Sequence, residues 1–336
     1  MAEEYDTADP LSQPVGANPV PPRPSTIHNI FIGPNGIRAG WRLLIFFLLV
    51  VAIVAAMVKV PAVKDFLRTH PPGEFTAIGL IGTEFLLQLF PVLLAASIMT
   101  FIEKRTFADY GIPLDQAFGK LFWQGLPMGF AMLSLLLLLI AAFHGFSLGA
   151  IALSGTEALK YGSLYFLGFI LVGIFEEFAF RGYLQSTLGS GIGFWWAAVA
   201  LSCLFGYVHR GNPGEAKFGL IMAGSFGLLA AFALKRTGNI WFPIGMHASW
   251  DWGETFLYGT PDSGITAQGH FFNSSFHGKP WLTGGSVGPE GSWLVFVVLI
   301  VWALAIHFLF PAKPTSIARS KTGGEVEFHD GRAESS

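Results

Sequence analysis

The chain has 336 residues, with 20 Lys and Arg against 22 Asp and Glu, and its formal net charge of −2 gives no basic surface for nucleic acid. Hydrophobic residues make up 52% and charged residues only 12%, where a soluble domain carries about 25% charged residues, so the composition points to a membrane protein. The one cysteine, Cys203, excludes an intrachain disulfide and a cysteine-rich metal centre.

Taken in chain order, the first 28 residues are polar and rich in Pro, with Glu3, Glu4, Asp6 and Asp9 and no basic leader ahead of a short apolar core. Residues 1–40 are therefore expected to form a disordered cytoplasmic tail, and residues 311–336 a second one. Between them lie eight apolar runs: Trp41–Val58, Phe75–Ile102, Leu121–Phe143, Tyr161–Phe180, Gly193–Val208, Phe218–Leu234, Ile240–Tyr258 and Trp293–Phe310. A helix needs about 20 residues to cross a bilayer core. The expected fold is thus all-α, a polytopic membrane protein of about eight transmembrane helices over residues 41–310. With the N-terminus cytoplasmic, inside segments hold thirteen Lys and Arg and outside segments seven, so both termini are expected inside the cell membrane. The segment from Gly259 to Ser292, rich in Gly and Ser with His270 and His277, reads as an ordered but irregular outer connector. No internal repeat argues for a two-fold transporter architecture.

Ionisable residues inside apolar helices are costly and ask for an explanation. Glu176 and Glu177 close the fourth run and point about 100° apart on a helix. Glu177 and Arg181, four apart, share a face and suit an ion pair. Glu176 is left without a local partner, and an apolar setting turns such a carboxylate towards general-base work. His209 ends the fifth run. The glycine-rich stretch Gly189–Gly193 between them reads as a turn, 13 residues after Glu176 and 16 before His209. At ~1.5 Å per residue an antiparallel hairpin brings both to similar depth. In the seventh run His247 and Asp251 are four apart on one face, so the carboxylate can orient the imidazole. His247 stands only seven residues past Ile240, which does not match the depth of His209 without tilt. Glu84, Gln88, Gln124, Glu254, His144 and His307 read as structural polar groups, and Asn239 with Trp241 as a helix boundary. There is no GxSxG elbow and no HExxH. Two histidines and a carboxylate from Glu176, His209, His247 and Asp251 could hold zinc, or the same groups could work without metal.

The stretch EEFAFRGYLQ resembles the EExxxR signature of the CPBP family, the CAAX proteases and bacteriocin-processing enzymes also called Abi. Phe205 to His209 is similar to that family's FxxxH motif, and His247 to Asp251 to its third motif, a His followed four residues on by Asn or Asp. The three occur in the family's order across residues 161–258, the expected catalytic core. The resemblance implies a glutamate-dependent intramembrane endopeptidase. Glu176 would activate water, His209 would hold it, His247 and Asp251 would stabilise the oxyanion, and Glu177 with Arg181 would support them. If a metal is bound, its expected ligands are Glu176, His209 and His247, and zinc is the expected ion. The partner is a membrane-embedded or lipid-anchored protein or peptide, CAAX-like in the family's eukaryotic branch. Two other classes compete: a non-proteolytic immunity or scaffold protein of this fold, and a transporter using the same polar residues. The first would be favoured by loss of a motif residue, the second by a continuous polar path, and the sequence shows neither.

Overall fold

The computed structural model describes residues 30–33, 36–71, 75–212 and 217–311. Residues up to Arg38 form a unit of their own. Within the expected tail, β1 (Ile32–Gly33) and β2 (Gly36–Ile37) pair antiparallel, Ile32 opposite Ile37. β-branched Ile suits the paired positions, and Gly36 takes the positive φ of 88° that closes so short a ribbon. The rest of the tail calls for no comparison, because residues 1–29 and 312–336 lie outside the described residues.

The second unit, from Ala39 onward, is helical. Its helices are α1 (Ala39–Met57), α2 (Pro61–Thr69), α3 (Ala77–Glu103), α4 (Lys120–Ala142), α5 (Gly155–Ile192), α6 (Phe194–Val208), α7 (Lys217–Thr237), α8 (Trp241–Trp252, continued to Tyr258), α9 (Pro280–Thr283) and α10 (Leu294–Leu309). Five of them, α1, α3, α4, α5 and α7, are long and apolar enough to cross a membrane. Outward-facing Phe101, Leu138, Trp196, Leu304 and Phe308 are the apolar surface that lipid, not water, accommodates. The chain is therefore a helical membrane protein. The other three expected spans, α6, α8 and α10, are shorter, so length alone supports five crossings and not the full eight.

Two boundaries differ from the sequence reading. The expected turn at Gly189–Gly193 is narrower: α5 continues through Ile192 and Gly193 alone, at φ 85°, reverses the chain. Gln185 Nε2 donates to the Phe194 carbonyl across the reversal at 2.8 Å, which holds the extra turns in place. The helix α2 lies between the first two expected spans; Pro61 opens it at the position where proline is tolerated.

Helix α8 sits at the centre. Every residue from Trp241 to Asp251 is buried, and the helix packs on α4, α5 and α7. Its start is capped by Asn239, whose Oδ1 accepts the Trp241 N–H at 2.8 Å. Its approach to α4 is backbone to backbone. A Cβ on Gly125 would lie 2.2 Å from the Phe242 carbonyl oxygen, one on Gly129 1.9 Å from that of Met246, and one on Gly245 2.3 Å from that of Phe122. Gly125 and Gly129 are four apart, the small-residue spacing that lets membrane helices close up. At one end of the bundle, Arg42 is bonded to Glu103 at 2.7 Å and Tyr183 donates to the same carboxylate at 2.8 Å, tying α1, α3 and α5 together.

Three stretches depart from regular α geometry into wider π turns: Glu84–Leu89 in α3, Glu177–Leu184 in α5 and Gly253–Tyr258 after α8. Each carries a buried carboxylate, Glu84, Glu177 and Glu254. Widened turns of this kind concentrate at functional sites.

Candidate active site

The depth of the site follows from two anchors. Ile240 N–H donates to the Gly111 carbonyl at 2.8 Å. Gly182 packs on the neighbouring Tyr110 carbonyl, where a Cβ would come within 3.2 Å. Gly182 and Ile240 therefore stand level. Glu176 lies six residues before the first and His247 seven after the second. At ~1.5 Å per residue the two reach the same depth. Glu176 and His247 thus meet at one level, with α5 running on for ten residues beyond Gly182 before the chain reverses.

His247 is the hub. Its Nδ1 lies 2.9 Å from Glu177 Oε1; beside an ionised carboxylate, which only accepts, Nδ1 carries the proton. Its Nε2 faces Asp251 Oδ2 at 3.4 Å and Glu176 Oε2 at 3.6 Å. Phe226 of α7 meets the ring edge-on at 5.3 Å between centroids. Arg181 Nη1 reaches Glu177 Oε1 at 3.2 Å, so one carboxylate oxygen is shared by the imidazole and the guanidinium. Glu177 is fully buried, whereas the Glu176 side chain keeps 19% of its surface exposed. The two adjacent acids thus have different tasks open to them: one is locked in a network and the other is reachable.

Arg181 is placed by α6 and α7. Its guanidinium carbon lies 4.2 Å from the Phe205 ring centroid, a cation–π contact. Gly227 leaves it room, since a Cβ there would come within 2.5 Å of Nη2. Phe205 and Arg181 are each twelve residues from Gly193, as a symmetric hairpin requires. His209 is 16 residues from that turn, but its contacts run back along its own helix. Its Nδ1 lies 2.7 Å from the Phe205 carbonyl and its ring 4.7 Å from the Phe205 ring. Among the described residues no hydrogen bond or ion pair joins His209 to Glu176 or His247. The structure therefore brings together Glu176, Glu177, Arg181, His247 and Asp251, and holds His209 one aromatic ring away from Arg181.

The expected zinc set does not fit this arrangement. Glu176, His209 and His247 do not gather their donor atoms, and His247 Nδ1 is engaged by Glu177. The three-donor cluster that does form among the described residues is Glu254, Asp262 and Glu290, with donor atoms within 4.8 Å of one another. Asp262, outside the helices, has its carboxyl pushed well above the usual carboxylate range, first by burial and then by the charges of Asp251 and Glu290.

Sequence reasoning had set Glu84 and Glu254 aside as structural. Glu84 is buried in a widened turn of α3 and bonds Gln88 one turn on. The signal was present, an acid in an apolar run. Asp262 and Glu290 had no such signal, because they join Glu254 only through the folding of the 259–292 loop.

Residues 158–253 match the family model described as type II CAAX prenyl endopeptidase Rce1-like, a match consistent with a CPBP-type protease that takes in all six motif residues from Glu176 to Asp251. No curated protein and no solved structure matches the chain.

Proposed function

We propose that this chain is an intramembrane endopeptidase that cuts a peptide bond of a membrane-associated, lipid-anchored protein with a glutamate-activated water. The observation that carries the reading is the His247 imidazole held on Nδ1 by buried Glu177 while Nε2 faces the reachable Glu176 and Asp251. Gaps of 3.4 to 3.6 Å are long for direct hydrogen bonds, so neither carboxylate saturates Nε2, which stays open to a water or substrate oxygen placed beside it. In the proposed cycle Glu176 takes a proton from water as its oxygen attacks the scissile carbonyl carbon. The oxyanion is met by Nε2–H of a doubly protonated His247, whose Nδ1–H stays on Glu177. When the C–N bond breaks, Glu176 passes its proton to the leaving nitrogen, giving an amine and a carboxylic acid that keeps the second proton of the water. Asp251 steers the imidazole, and Arg181 fixes Glu177. His209 is proposed as the water ligand on its motif and its count from Gly193. No step passes through zinc, because the residues that would hold it do not gather.

The match of 158–253 to a prenyl endopeptidase model supports a prenylated or otherwise lipid-anchored substrate. The shorter apolar helices α6, α8 and α10 are proposed to complete eight crossings of the cell membrane, with both termini cytoplasmic.

The test is Glu176→Gln. General-base loss costs about 10²–10⁴-fold in rate. The variant is expected to insert and to keep the wild-type melting temperature, since the side chain is partly exposed and makes no buried pair essential to the fold. Membrane-protein termini are compared in cells carrying each form, and termini seen only with the wild type give substrate and cut site. Wild-type cleavage by the variant would end the assignment.

A further inference from the structure

The helix that carries His247 and Asp251 does not stop at Trp252 but continues in widened turns to Tyr258, and Glu254 lies in that continuation with no exposed surface. Neither of its carboxylate oxygens has a hydrogen-bond partner. The loop after it folds straight back: Thr260 donates to the Glu254 backbone carbonyl through N–H at 2.9 Å and through Oγ1 at 3.3 Å. Asp262 and Glu290, at opposite ends of the 259–292 loop, are thereby brought onto Glu254, with one oxygen from each residue within 4.8 Å of the others. Among the described residues no Lys or Arg forms an ion pair with any of the three. A carboxylate buried without partner or counter-charge is strongly disfavoured.

We propose that Glu254, Asp262 and Glu290 bind a hard divalent cation, Ca²⁺ or Mg²⁺, which fastens the 259–292 loop to the end of α8. Oxygen-only donors suit these ions, whereas zinc favours nitrogen and sulfur. Oxygens at 2.3–2.6 Å from one Ca²⁺ can be no more than about 5 Å apart, and the observed separations meet that limit. The carboxylates are also held from behind, as ligating groups are. Trp250 Nε1 donates to Glu290 Oε1 at 3.1 Å, Ser263 donates to Oε2 through N–H at 3.0 Å and Oγ at 2.9 Å, and Thr255 Oγ1 donates to Asp262 Oδ2 at 3.1 Å. Glu290 Oε1 and Asp262 Oδ2 accept one bond each and keep a lone pair for a cation, while Glu290 Oε2 is filled by its two donors. Asp262 and Glu290 are only half-buried, which leaves a path of entry. The site is independent of the protease reading, because it uses none of the groups assigned to hydrolysis.

The experiment uses the purified full-length chain in detergent with Tb³⁺ as the probe and tryptophan excitation, since Trp250 touches a ligand. Saturable sensitised luminescence is expected, displaced by Ca²⁺ or Mg²⁺, with the better competitor naming the ion. Glu254→Gln and Asp262→Asn are each expected to weaken Tb³⁺ binding at least tenfold. In parallel, Ca²⁺ or Mg²⁺ should raise the wild-type melting temperature by a few degrees by binding only the folded state, and should leave Glu254→Gln unmoved. Without the cation, Glu254→Gln should melt no lower than the wild type, because it removes an unpartnered buried acid. Luminescence that does not saturate, or that both variants retain in full, overturns the proposal, as does a wild-type melting temperature indifferent to both ions. Should Glu254→Gln fail to fold, Asp262→Asn decides alone.

Discussion

Arg181 holds three neighbours at once: it is bonded to Glu177 at 3.2 Å, lies over Phe205 at 4.2 Å, and fills the space that Gly227 leaves open. Its partner Glu177 has no exposed surface. Removing one member of a buried pair leaves an uncompensated charge and costs about 3–5 kcal/mol. Arg181→Ala is therefore expected to lower stability by that order in thermal unfolding, and to lower the cleavage rate as well, because Glu177 then swings free of His247. Adding Glu177→Gln to it removes the stranded charge and should recover part of the stability but none of the activity. Equal stability for the single and double variants would show that no buried charge is stranded when Arg181 is removed. The spacing of Glu177 and Arg181 was legible in the sequence because a helix puts residues four apart on one face. That Glu177 and not Asp251 takes the closest bond to His247 was not legible: the partner sits 70 residues away and meets the imidazole only once α5 packs on α8.

The position of the imidazole depends on how close α4 comes to α8. A Cβ on Gly129 would fall 1.9 Å from the Met246 carbonyl and 2.5 Å from Ser249 Oγ. The Met246 carbonyl is backbone of the helix that carries His247, so α8 must move away. Gly129→Ala improves helix propensity by about 1 kcal/mol, yet it is expected to reduce the cleavage rate at least tenfold while leaving membrane insertion intact. Gly40→Ala in α1, where a Cβ meets nothing within 4 Å, is the matched control and should leave the rate unchanged. Parity between the two variants in a cleavage assay would sever the link between this close approach and the site. The spacing of Gly125 and Gly129 stood in the sequence as a small-residue pair, but nothing local says which partner helix it faces. The long helices were legible for a simpler reason: some 20 apolar residues have few other places to go. Their ends were less so. The run expected to close at Phe180 continues to Ile192, because polar Gln185 and Ser190 find partners in Phe194 and Arg42 rather than in water. The 259–292 loop was legible only as irregular, since its ties to Phe256, Leu257, Ala150 and Gly145 are backbone bonds that no side-chain pattern encodes.

Across the molecule, the charge distribution and the helix lengths bear on orientation together. Five helices have the length and hydropathy of spans; α6, α8 and α10 are shorter, at 15, 12 and 16 residues, and α10 is apolar over its length. A shorter helix still crosses where the bilayer thins or flanking residues reach to the interface, at modest cost, and α8 gains the six residues to Tyr258. With the eight crossings proposed above both termini would lie on one side, and the excess of Lys and Arg in alternate segments would make that side cytoplasmic. The loop bearing Asp262 and Glu290 then faces out, where a divalent cation would reach it without crossing the bilayer. The expected outcome is that green fluorescent protein fused after residue 336 glows, and that alkaline phosphatase at the same point is inactive. A cysteine introduced at the exposed Ser275 in a Cys203→Ser background should react with an impermeant maleimide added to intact cells. An active phosphatase fusion would put the C-terminus outside, through an odd number of crossings or a reversed orientation, while a silent Ser275→Cys with a fluorescent fusion would turn the whole loop inward.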